Sequence, residues 1–455
     1  MPVSAEELYA WHARPGAFER LTPPWQRVEV LRRSGGIEDG ARIDLRIYQG
    51  PIPTIWKIEH RNHVSGEQFE DHLLEGPFPV FRHRHRFESL GGGRSRLIDS
   101  IAFEMPGGRV TELVAGRWLL GQMRRAFAWR HAVTRADLAA HAEAACGPMR
   151  VAVSGASGLI GGRLSAFLTT GGHEVVPMIR HGGSGVSERR TDRIRWSWPK
   201  YQIDAGAMEG LDGVVHLAAE PIMGSWTPNK KRLIRESRVR GTRLVAEAVS
   251  RLRRKPKVLV VASAIGIYGD RGQTFLDEGS PVGDGFLAEV AEAWEAAAEP
   301  ARAAGIRVVN ARIGIVVTPT GGALAKMLPA FWMGAGGRLG HGNQWWGWIG
   351  LDDVVGVLHR ALVDERMAGA VNLVSPGIVT NRGFTAALGK AIRRPTWFPV
   401  PRGLLRLAMG RQMANEVLLS SQRVRPEVLG ELKYGYRHPD LRPMLAQQLG
   451  MEDAV

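Results

Sequence analysis

The sequence predicts two folds in series, an α+β unit over residues 1–145 and a doubly wound α/β unit from about residue 149 to residue 455. Short strand-like runs, separated by glycine-rich turns and followed by one long helical stretch, predict the first. Apolar runs that alternate with helical stretches predict the second, because this pattern is typical of parallel strands joined by crossover helices. Three glycines, Gly155, Gly158 and Gly161, separate the first apolar run from the first helix. Together these features indicate a Rossmann-type parallel sheet.

Composition narrows the class of protein. Of the 455 residues, 44% are hydrophobic and 23% are charged, which is ordinary for a globular protein. No apolar run approaches the roughly 18 residues that a membrane span needs, and the first residues lack the pattern of a secretory signal. The single cysteine, Cys146, excludes an intrachain disulfide framework. We therefore expect a cytoplasmic protein without a membrane span.

The net charge of +15 raises the question of a nucleic-acid partner. The basic residues are scattered apart from short clusters, and no zinc-finger, RNP or helix-turn-helix signature accompanies them. We therefore predict no nucleic-acid partner. We interpret the charge first as solvated, arginine-rich helix faces and second as attraction for an anionic cofactor or substrate.

The first 145 residues are predicted to form a meander of antiparallel strands closed by a helix over residues 110–132. The predicted strands are 25–31, 41–48, 54–63, 80–90 and 94–105. The order of these elements and the phrases FERLTPPWQ, FEDHLLEGPFPVFRHRHRF and FAWRHAVTRADL resemble the START-like (SRPBCC, helix-grip) family of ligand-binding domains. The resemblance implies a ligand-binding domain over residues 1–145 with an enclosed cavity for an apolar ligand.

Histidines in this segment raise the question of a metal site: His60, His63, His72, His83 and His85. His83 and His85 are two positions apart and would lie on one face of a strand. No carboxylate or third ligand falls at a recognisable spacing, so we interpret the histidines as a polar strand face and predict no metal site.

The stretch RVAVSGASGLIGGRL places a strand, a glycine turn and a helix in the order that lays a dinucleotide pyrophosphate on a helix N-terminus. Backbone N–H groups and the positive end of the helix dipole meet the phosphate charge there, and a Cβ at the glycines would block the ligand. The predicted cofactor-binding residues are Gly155, Ser157, Gly158, Leu159, Ile160, Gly161, Arg180, Leu217, Ala218, Ala219, Glu220 and Ala262.

The end of the second apolar run of the α/β unit, over residues 174–179, distinguishes between the two nicotinamide cofactors. A site selective for NAD places an acidic residue about 20 positions past the glycine turn, whereas this run ends with the sequence PMIR. Arg180, followed by His181, suits a 2′-phosphate, so NADP(H) is favoured over NAD(H). The alternative is that Arg180 is a solvated loop residue. Arg163, in the first helix turn, is a second candidate for the phosphate contact.

Further phrases follow in a fixed order. The spacing GxxGxxG and the segments DGVVHLAA, RVRGT and ASAIGIYG resemble the extended short-chain dehydrogenase/reductase (SDR) superfamily. The phrases HLAAEPIMGSWT, QWWGWIGLDDVV and LLSSQRVRPEVL resemble its atypical epimerase-like family, over residues 150–446. The resemblance implies an NAD(P)-binding Rossmann domain over residues 149–395. It also implies a small C-terminal helical domain on the substrate side, over residues 396–447.

Enzymes of this superfamily use a tyrosine as general acid/base and a lysine four residues later that lowers its pKa. None of the six tyrosines of this chain has a lysine at that spacing. By the same resemblance, Phe286 and Val290 stand where tyrosine and lysine would be, and Ser263 lies beside the position of a partner serine. Tyr268, Ser263 and Glu220 are the candidate catalytic replacements, with packing at the strand tip as the favoured role of Tyr268.

Two hypotheses of function follow. The chain is an NADP(H)-dependent epimerase, dehydratase or oxidoreductase with a rearranged acid/base group, acting on a small molecule. Alternatively, it is a catalytically inactive NADP(H)-binding sensor or ligand-binding protein. The tryptophan-rich loop over residues 321–348 either stacks a planar or sugar-like ligand or fills the core beneath the loop.

Overall fold

The computed structural model describes residues 1–49, 52–180 and 193–451. His181, which the sequence analysis considered together with Arg180, lies outside these ranges. Within them, no helix is both long and apolar enough to cross a bilayer.

The contacts of the chain divide it into two compact units. The N-terminal unit comprises residues 1–145, a short segment over 166–172 and the end of the chain from Gln447. The second unit comprises residues 146–165 and 173–446.

Six strands of the N-terminal unit form one antiparallel sheet in which each strand pairs with the next along the chain. They are β1 (Arg27–Ser34), β2 (Arg42–Gln49), β3 (Ile52–Val64), β4 (Gln68–Glu75), β5 (Val80–Gly91) and β6 (Arg94–Glu104). Gly91, Gly92 and Gly93 all have positive φ angles, which glycine adopts without strain and which allow the tight β5–β6 turn. Five of the strands correspond to predicted runs, whereas β4 was not predicted.

Helices cover one face of this sheet. They are α1 (Ala5–Ala13), α2 (Ala17–Leu21) and α3 (Arg109–Ala144). Leu8 and Trp11 of α1 are fully buried in one cluster with Phe69 and Phe87 of the sheet and Leu138 of α3. At 36 residues, α3 is longer than the predicted helix. An antiparallel sheet followed by one long helix is the helix-grip arrangement, so the predicted fold of this unit is confirmed.

A buried ion pair joins α2 to α3. Nε and Nη2 of Arg20 donate to the two carboxylate oxygens of Asp137, each at 2.7 Å. Both side chains are 0% exposed. Such a bidentate contact fixes the geometry of both side chains and compensates part of the cost of burying two charges.

The second unit is built on an eight-stranded sheet in the order β10-β9-β8-β7-β11-β12-β14-β18. The strands of this unit are β7 (Arg150–Ser154), β8 (Glu174–Arg180), β9 (Ile194–Ser197), β10 (Gln202–Ile203), β11 (Gly213–His216), β12 (Val258–Ala264), β13 (Phe275–Leu276), β14 (Arg307–Ile313), β15 (Ile315–Val317), β16 (Trp345–Trp346), β17 (Trp348–Gly350), β18 (Gly369–Leu373), β19 (Val379–Thr380) and β20 (Arg423–Val424). Within the large sheet, the described pairings are parallel except for β9 with β10. The strand order reverses between β7 and β11, which is the topological switch point of a doubly wound sheet.

Helices connect these strands. They are α4 (Leu159–Thr170), α5 (Pro228–Ser250), α6 (Phe286–Ala296), α7 (Glu299–Ala303), α8 (Gly322–Trp332), α9 (Leu351–Val363), α10 (Asn381–Ala391), α11 (Arg402–Met409), α12 (Arg411–Met413), α13 (Glu427–Glu431) and α14 (Leu441–Gln448). The predicted Rossmann-type fold of the second unit is confirmed.

The C-terminal segment after α11 is hydrogen-bonded into the second unit. Its strand β20 pairs in parallel with β13. The backbone N–H of Arg425 donates to the carbonyl of Leu276 at 2.7 Å, and that of Gln422 donates to the carbonyl of Trp345 at 3.0 Å. These bonds hold the segment beside the loops that follow β12 and α8.

Candidate functional site

The turn between β7 and α4 is built so tightly that it leaves little room for a side chain at three positions. Gly155 has a φ of +71°, and a Cβ there would lie 3.3 Å from the backbone nitrogen of Ala218. A Cβ at Gly158 would lie 3.1 Å from the carbonyl oxygen of Gly155, and a Cβ at Gly161 would lie only 2.1 Å from it. The N-terminus of α4 therefore starts directly behind the end of β7, at the switch point. A dinucleotide pyrophosphate binds at this position in such sheets.

A serine and a histidine fix the opposite side of the switch point. The Ser154 hydroxyl oxygen accepts hydrogen bonds from the backbone N–H groups of Leu217 and Ala218, at 3.0 and 3.1 Å. The same oxygen lies 2.8 Å from Nδ1 of His216. Because it already accepts two hydrogen bonds, the hydroxyl donates a hydrogen bond to this nitrogen. His216 is completely buried, and burial lowers its pKa to about 4. The histidine is therefore neutral at physiological pH and holds the segment after β11 through Ser154.

Because His216 is buried in its neutral form, we predict that the protein loses stability in acid. Its pKa falls from 6.5 to about 4 on folding, so the unfolded chain takes up a proton first as the pH falls. The neutral, buried state of His216 therefore contributes about 3 kcal/mol to the free energy of unfolding. We expect this contribution to be present above about pH 6.5 and to be lost as the pH falls from there through about 4. In His216→Asn, which keeps an acceptor for Ser154, urea unfolding at about pH 7.5 and about pH 4.5 should show a smaller pH dependence. An unchanged dependence would contradict this role of His216.

The other predicted cofactor-binding residues lie at the same edge of the sheet. Ser157 is exposed at the tip of the glycine turn, and Arg180 is the exposed last residue of β8. Leu217 and Ala219 follow β11 and are half-buried, whereas Ala262 is buried near the end of β12. The structure therefore brings these residues from four successive segments of the chain to the carboxyl ends of neighbouring strands.

Two charged candidates have partners inside the second unit. Arg163, the second phosphate candidate, donates from Nε to Asp352 of α9 at 3.1 Å. The carboxylate of Glu220 accepts from Nζ of Lys230 at 2.6 Å, and the backbone carbonyl of Glu220 accepts from Arg238 at 2.9 Å. These contacts order the loop after β11 and support a structural role for Glu220.

Tyr268 and Ser263 belong to one interior network. The Tyr268 hydroxyl donates to Oδ1 of Asn372 at 2.8 Å and accepts from the Arg312 guanidinium at 2.9 Å. Arg312 donates to both carboxylate oxygens of Glu295, and Ser263 donates to the same carboxylate at 2.7 Å. Burial raises the pKa of Tyr268, and its ring is 0% exposed. This network supports a packing role for Tyr268.

The positions assigned to the missing tyrosine and lysine carry apolar side chains. The ring of Phe286, at the start of α6, lies 5.1 Å from that of Trp226 in an edge-to-face arrangement. The ammonium group of Lys231 lies over the same ring, 4.9 Å from its centroid. Val290, one turn further along α6, is buried. Phe286 therefore has an aromatic contact on one side and a cation over its ring.

Part of the tryptophan-rich loop fills the core, which is one of the two roles that the sequence left open. Trp346 and Trp348 are buried and fill the core. Trp345 is partly exposed, and the guanidinium of Arg423 lies between its ring and that of Phe275, at 4.3 and 3.6 Å from the two centroids. Two of the four tryptophans in this loop thus pack the interior, Trp345 stacks on an arginine of the C-terminal segment, and Trp332 is 40% exposed.

The N-terminal unit contains a second candidate site, a cavity of about 720 Å³ between the sheet and α3. Its apolar lining residues include Ile43, Leu45, Trp56, Phe78, Phe81 and Met123. Its polar lining residues include His12, His60, Asp71, His83, His85 and Arg130. A concave, mostly apolar space with a few polar groups at one place is typical of a small-molecule site.

The histidines of this cavity have carboxylate partners that the sequence analysis missed. Asp71 of β4 and Asp99 of β6 lie beside His83 and His85. Burial opposes ionisation of Asp71, yet hydrogen bonds with the histidines hold its pKa well below its usual range. Burial also opposes a charge on His85, but the two carboxylates raise its pKa to about 9. His83 and His85 are buried and face the cavity.

The fold, the glycine turn at the switch point and the small residues after β11 define the class of the second unit, an SDR-type nucleotide-binding fold. Residues 151–373 match the NAD dependent epimerase/dehydratase family, and residues 400–448 match a domain of unknown function, DUF1731. Residues 1–131 match the family described as polyketide cyclase / dehydrase and lipid transport.

Curated relatives identify the family. An epimerase family protein of Mycobacterium bovis is 37% identical over 289 residues, which are 63% of this chain and 93% of that protein. The human epimerase family protein SDR39U1 is 34% identical over 304 residues, 66% of this chain and 99% of that protein. The chain belongs to this epimerase family, and the predicted family is confirmed.

Solved structures extend the similarity to the whole chain. A structure described as the nucleoside-diphosphate sugar epimerase of Corynebacterium glutamicum has a TM-score of 0.79 and 30% identity, covering 100% of this chain and 90% of that chain. Human SDR39U1, solved with NADPH, has a TM-score of 0.59 and 32% identity, covering 66% of this chain and 99% of that chain.

Proposed function

We propose that the second unit binds NADP(H) and that the chain is a nucleotide-binding member of its family without the tyrosine–lysine pair. The observation that carries the proposal is the turn over residues 155–161, where a Cβ at Gly161 would lie 2.1 Å from a backbone oxygen. So tight a turn brings the N-terminus of α4 directly behind the end of β7, where phosphates bind in sheets of this type. The human relative solved with NADPH supports the choice of nucleotide.

The residues of the site fit this cofactor. The backbone of residues 155–161 would hold the pyrophosphate, and exposed Arg180 would meet the 2′-phosphate. Leu217, Ala218 and Ala219 offer a close backbone surface, which Ser154 fixes. A bound nicotinamide ring would supply a hydride donor or acceptor. The side chain of Phe286 itself has no group that could move a proton.

The N-terminal unit would bind a small molecule with an apolar body. This proposal rests on the size and the mostly apolar lining of its cavity. Its match to a family described by cyclase, dehydrase and lipid transport activities supports the same class of ligand.

An enzyme with a rearranged acid/base group is the second candidate function. Lys231, whose ammonium group lies over the Phe286 ring, supplies a titratable group at the position of the absent pair. In this case the chain would act as an NADP(H)-dependent epimerase, dehydratase or oxidoreductase.

Calorimetric titration of the full chain with NADPH and NADH tests the proposal. We expect saturable binding that favours NADPH, and a smaller preference in Arg180→Ala. Absence of heat and of a thermal shift with both nucleotides would disprove it. Turnover of a panel of carbonyl compounds and nucleoside-diphosphate sugars, lost in Lys231→Met, would establish the second candidate function instead.

Tyr268→Phe separates packing from catalysis. The substitution leaves Asn372 and Arg312 without their shared hydroxyl partner, and we expect it to lower the free energy of unfolding by about 1–2 kcal/mol. NADPH affinity should stay the same. Urea unfolding and calorimetry measure the two quantities. If any turnover found in the wild type disappears in this variant while its stability is unchanged, the packing role is wrong.

A further inference from the structure

Four strands of the N-terminal sheet direct histidines and carboxylates to one point of the cavity. Asp71 of β4 pairs directly with His60 of β3 and with His83 of β5. Asp99 of β6 pairs with His85 of β5. Because side chains alternate between the faces of a strand and paired residues share a face, all five side chains lie on the cavity face of the sheet.

Two distances within this cluster are close to those between the donor atoms of a metal ligand set. Oδ2 of Asp71 lies 3.2 Å from Nδ1 of His83 and 3.4 Å from Nε2 of His85. One donor atom from each of the three residues lies within 4.8 Å of the others. Around a tetrahedral ion with bonds of about 2.0–2.1 Å, neighbouring donor atoms are about 3.3–3.4 Å apart.

A second carboxylate stands behind both histidines. Oδ1 of Asp99 lies 3.1 Å from Nε2 of His83 and 2.8 Å from Nδ1 of His85, in each case the ring nitrogen that does not face Asp71. Histidines that bind metals commonly donate their other ring N–H group to a carboxylate, which fixes the tautomer and the orientation of the ring. Asp99 is placed to do this for His83, and it forms an ion-pair contact with Nδ1 of His85.

The cluster is buried, and its hydrogen bonds are incomplete. His83 is 3% exposed and His85 is 7% exposed. Among the described residues, neither Nδ1 of His60 nor Nδ1 of His85 has a hydrogen-bond partner. Both nitrogens lie within 3 Å of a carboxylate oxygen, but in directions unsuited to a hydrogen bond. The cluster is therefore not a fully paired hydrogen-bond network.

We propose that Asp71, His83 and His85 bind a divalent transition-metal ion of the zinc type at the polar end of the N-terminal cavity. Two imidazoles and one carboxylate form a ligand set that such ions use in catalytic sites, where a further position stays open. All three residues line the cavity, so the open position faces it. A ligand with an apolar body and an oxygen-containing head group fits this arrangement. The proposal is independent of the nucleotide site in the second unit.

Metal titration of the full chain tests the proposal. After treatment with a chelator, we expect the wild type to bind one equivalent of Zn²⁺ that depends on Asp71 and His83, and to give a visible d–d spectrum with Co²⁺. Asp99→Asn should lower the affinity for this Zn²⁺ ion about 10–100-fold, and Asp71→Asn and His83→Gln should lower it at least as much. His72→Gln is the matched control, because His72 adjoins Asp71 on β4 but pairs with Glu70 at 2.8 Å.

Circular dichroism of each metal-free variant separates a lost ligand from a lost fold. If a variant does not fold, the wild type decides the question through its Zn²⁺ stoichiometry and its Co²⁺ spectrum. A wild type that binds neither ion would overturn the proposal. So would Zn²⁺ binding of equal strength in folded Asp71→Asn, folded His83→Gln and the wild type. The cluster would then be an ion-pair network without a metal.

Discussion

Replacement of Asp137 by asparagine is expected to lower the free energy of unfolding of the N-terminal unit by about 3–5 kcal/mol. The substitution removes the charge of Asp137 from beside the guanidinium of Arg20, in a place where both side chains are 0% exposed. An unpaired buried charge costs far more than the pair contributes, because water no longer solvates it. Chemical denaturation, followed by tryptophan fluorescence, measures the loss.

A surface pair gives the matched control. Lys57 and Glu75 form an ion pair with exposed fractions of 45% and 64%, so Glu75→Gln should cost less than about 1 kcal/mol. The double variant Arg20→Met, Asp137→Leu removes both charges and should recover most of the loss in Asp137→Asn. A loss below about 1 kcal/mol in Asp137→Asn would show that this pair does not behave as a buried charge pair.

Gly161→Ala is expected to weaken NADPH binding at least about tenfold, which corresponds to about 1.4 kcal/mol. The new Cβ would lie 2.1 Å from the carbonyl oxygen of Gly155, so the turn must shift where the proposed phosphate site lies. The backbone atoms in contact cannot move aside as a side chain would. Calorimetric titration with NADPH measures the effect.

The neighbouring glycine supplies a control in the same helix turn. A Cβ at Gly162 would lie 3.4 Å from the carbonyl oxygen of Ala156, an ordinary van der Waals distance. Gly162→Ala should therefore bind NADPH as the wild type does. Equal affinities in Gly161→Ala and Gly162→Ala would argue against the turn as the phosphate site.

The parallel sheet could be predicted from the sequence because its strands are buried on both faces. Val151, Ala152 and Val153 of β7 are all 0% exposed, and such strands read as continuous apolar runs. The strands β9 and β10 were missed because four and two residues are too few to show a period. The strand β4 was missed because its inward-facing positions include Asp71, a charged residue where the pattern predicts an apolar one.

The two candidate sites differed in how far the sequence could reveal them. The glycine turn is continuous in sequence, so its spacing, together with the apolar run before it and the helical pattern after it, predicted its place in the fold. The histidine cluster is assembled across strands, with His83 sixteen positions from Asp99. Which residues face each other depends on the register of three hairpins, and no local pattern specifies that register. The sequence offered one signal for this cluster, the spacing of His83 and His85. Their carboxylate partners, Asp71 and Asp99, can be identified only from the pairing of the strands.

The alternation along β5 has a consequence for how this segment can change in evolution. His83 and His85 face inward, while Arg82, Arg84 and Arg86 are exposed on the other side. Insertion or deletion of a single residue ahead of this run would exchange the two faces. Three guanidinium groups would then have to be buried inside the unit, and His83 and His85 would leave their carboxylate partners, which is costly for the fold. We expect length variation among homologues to fall in the loops and to spare this strand.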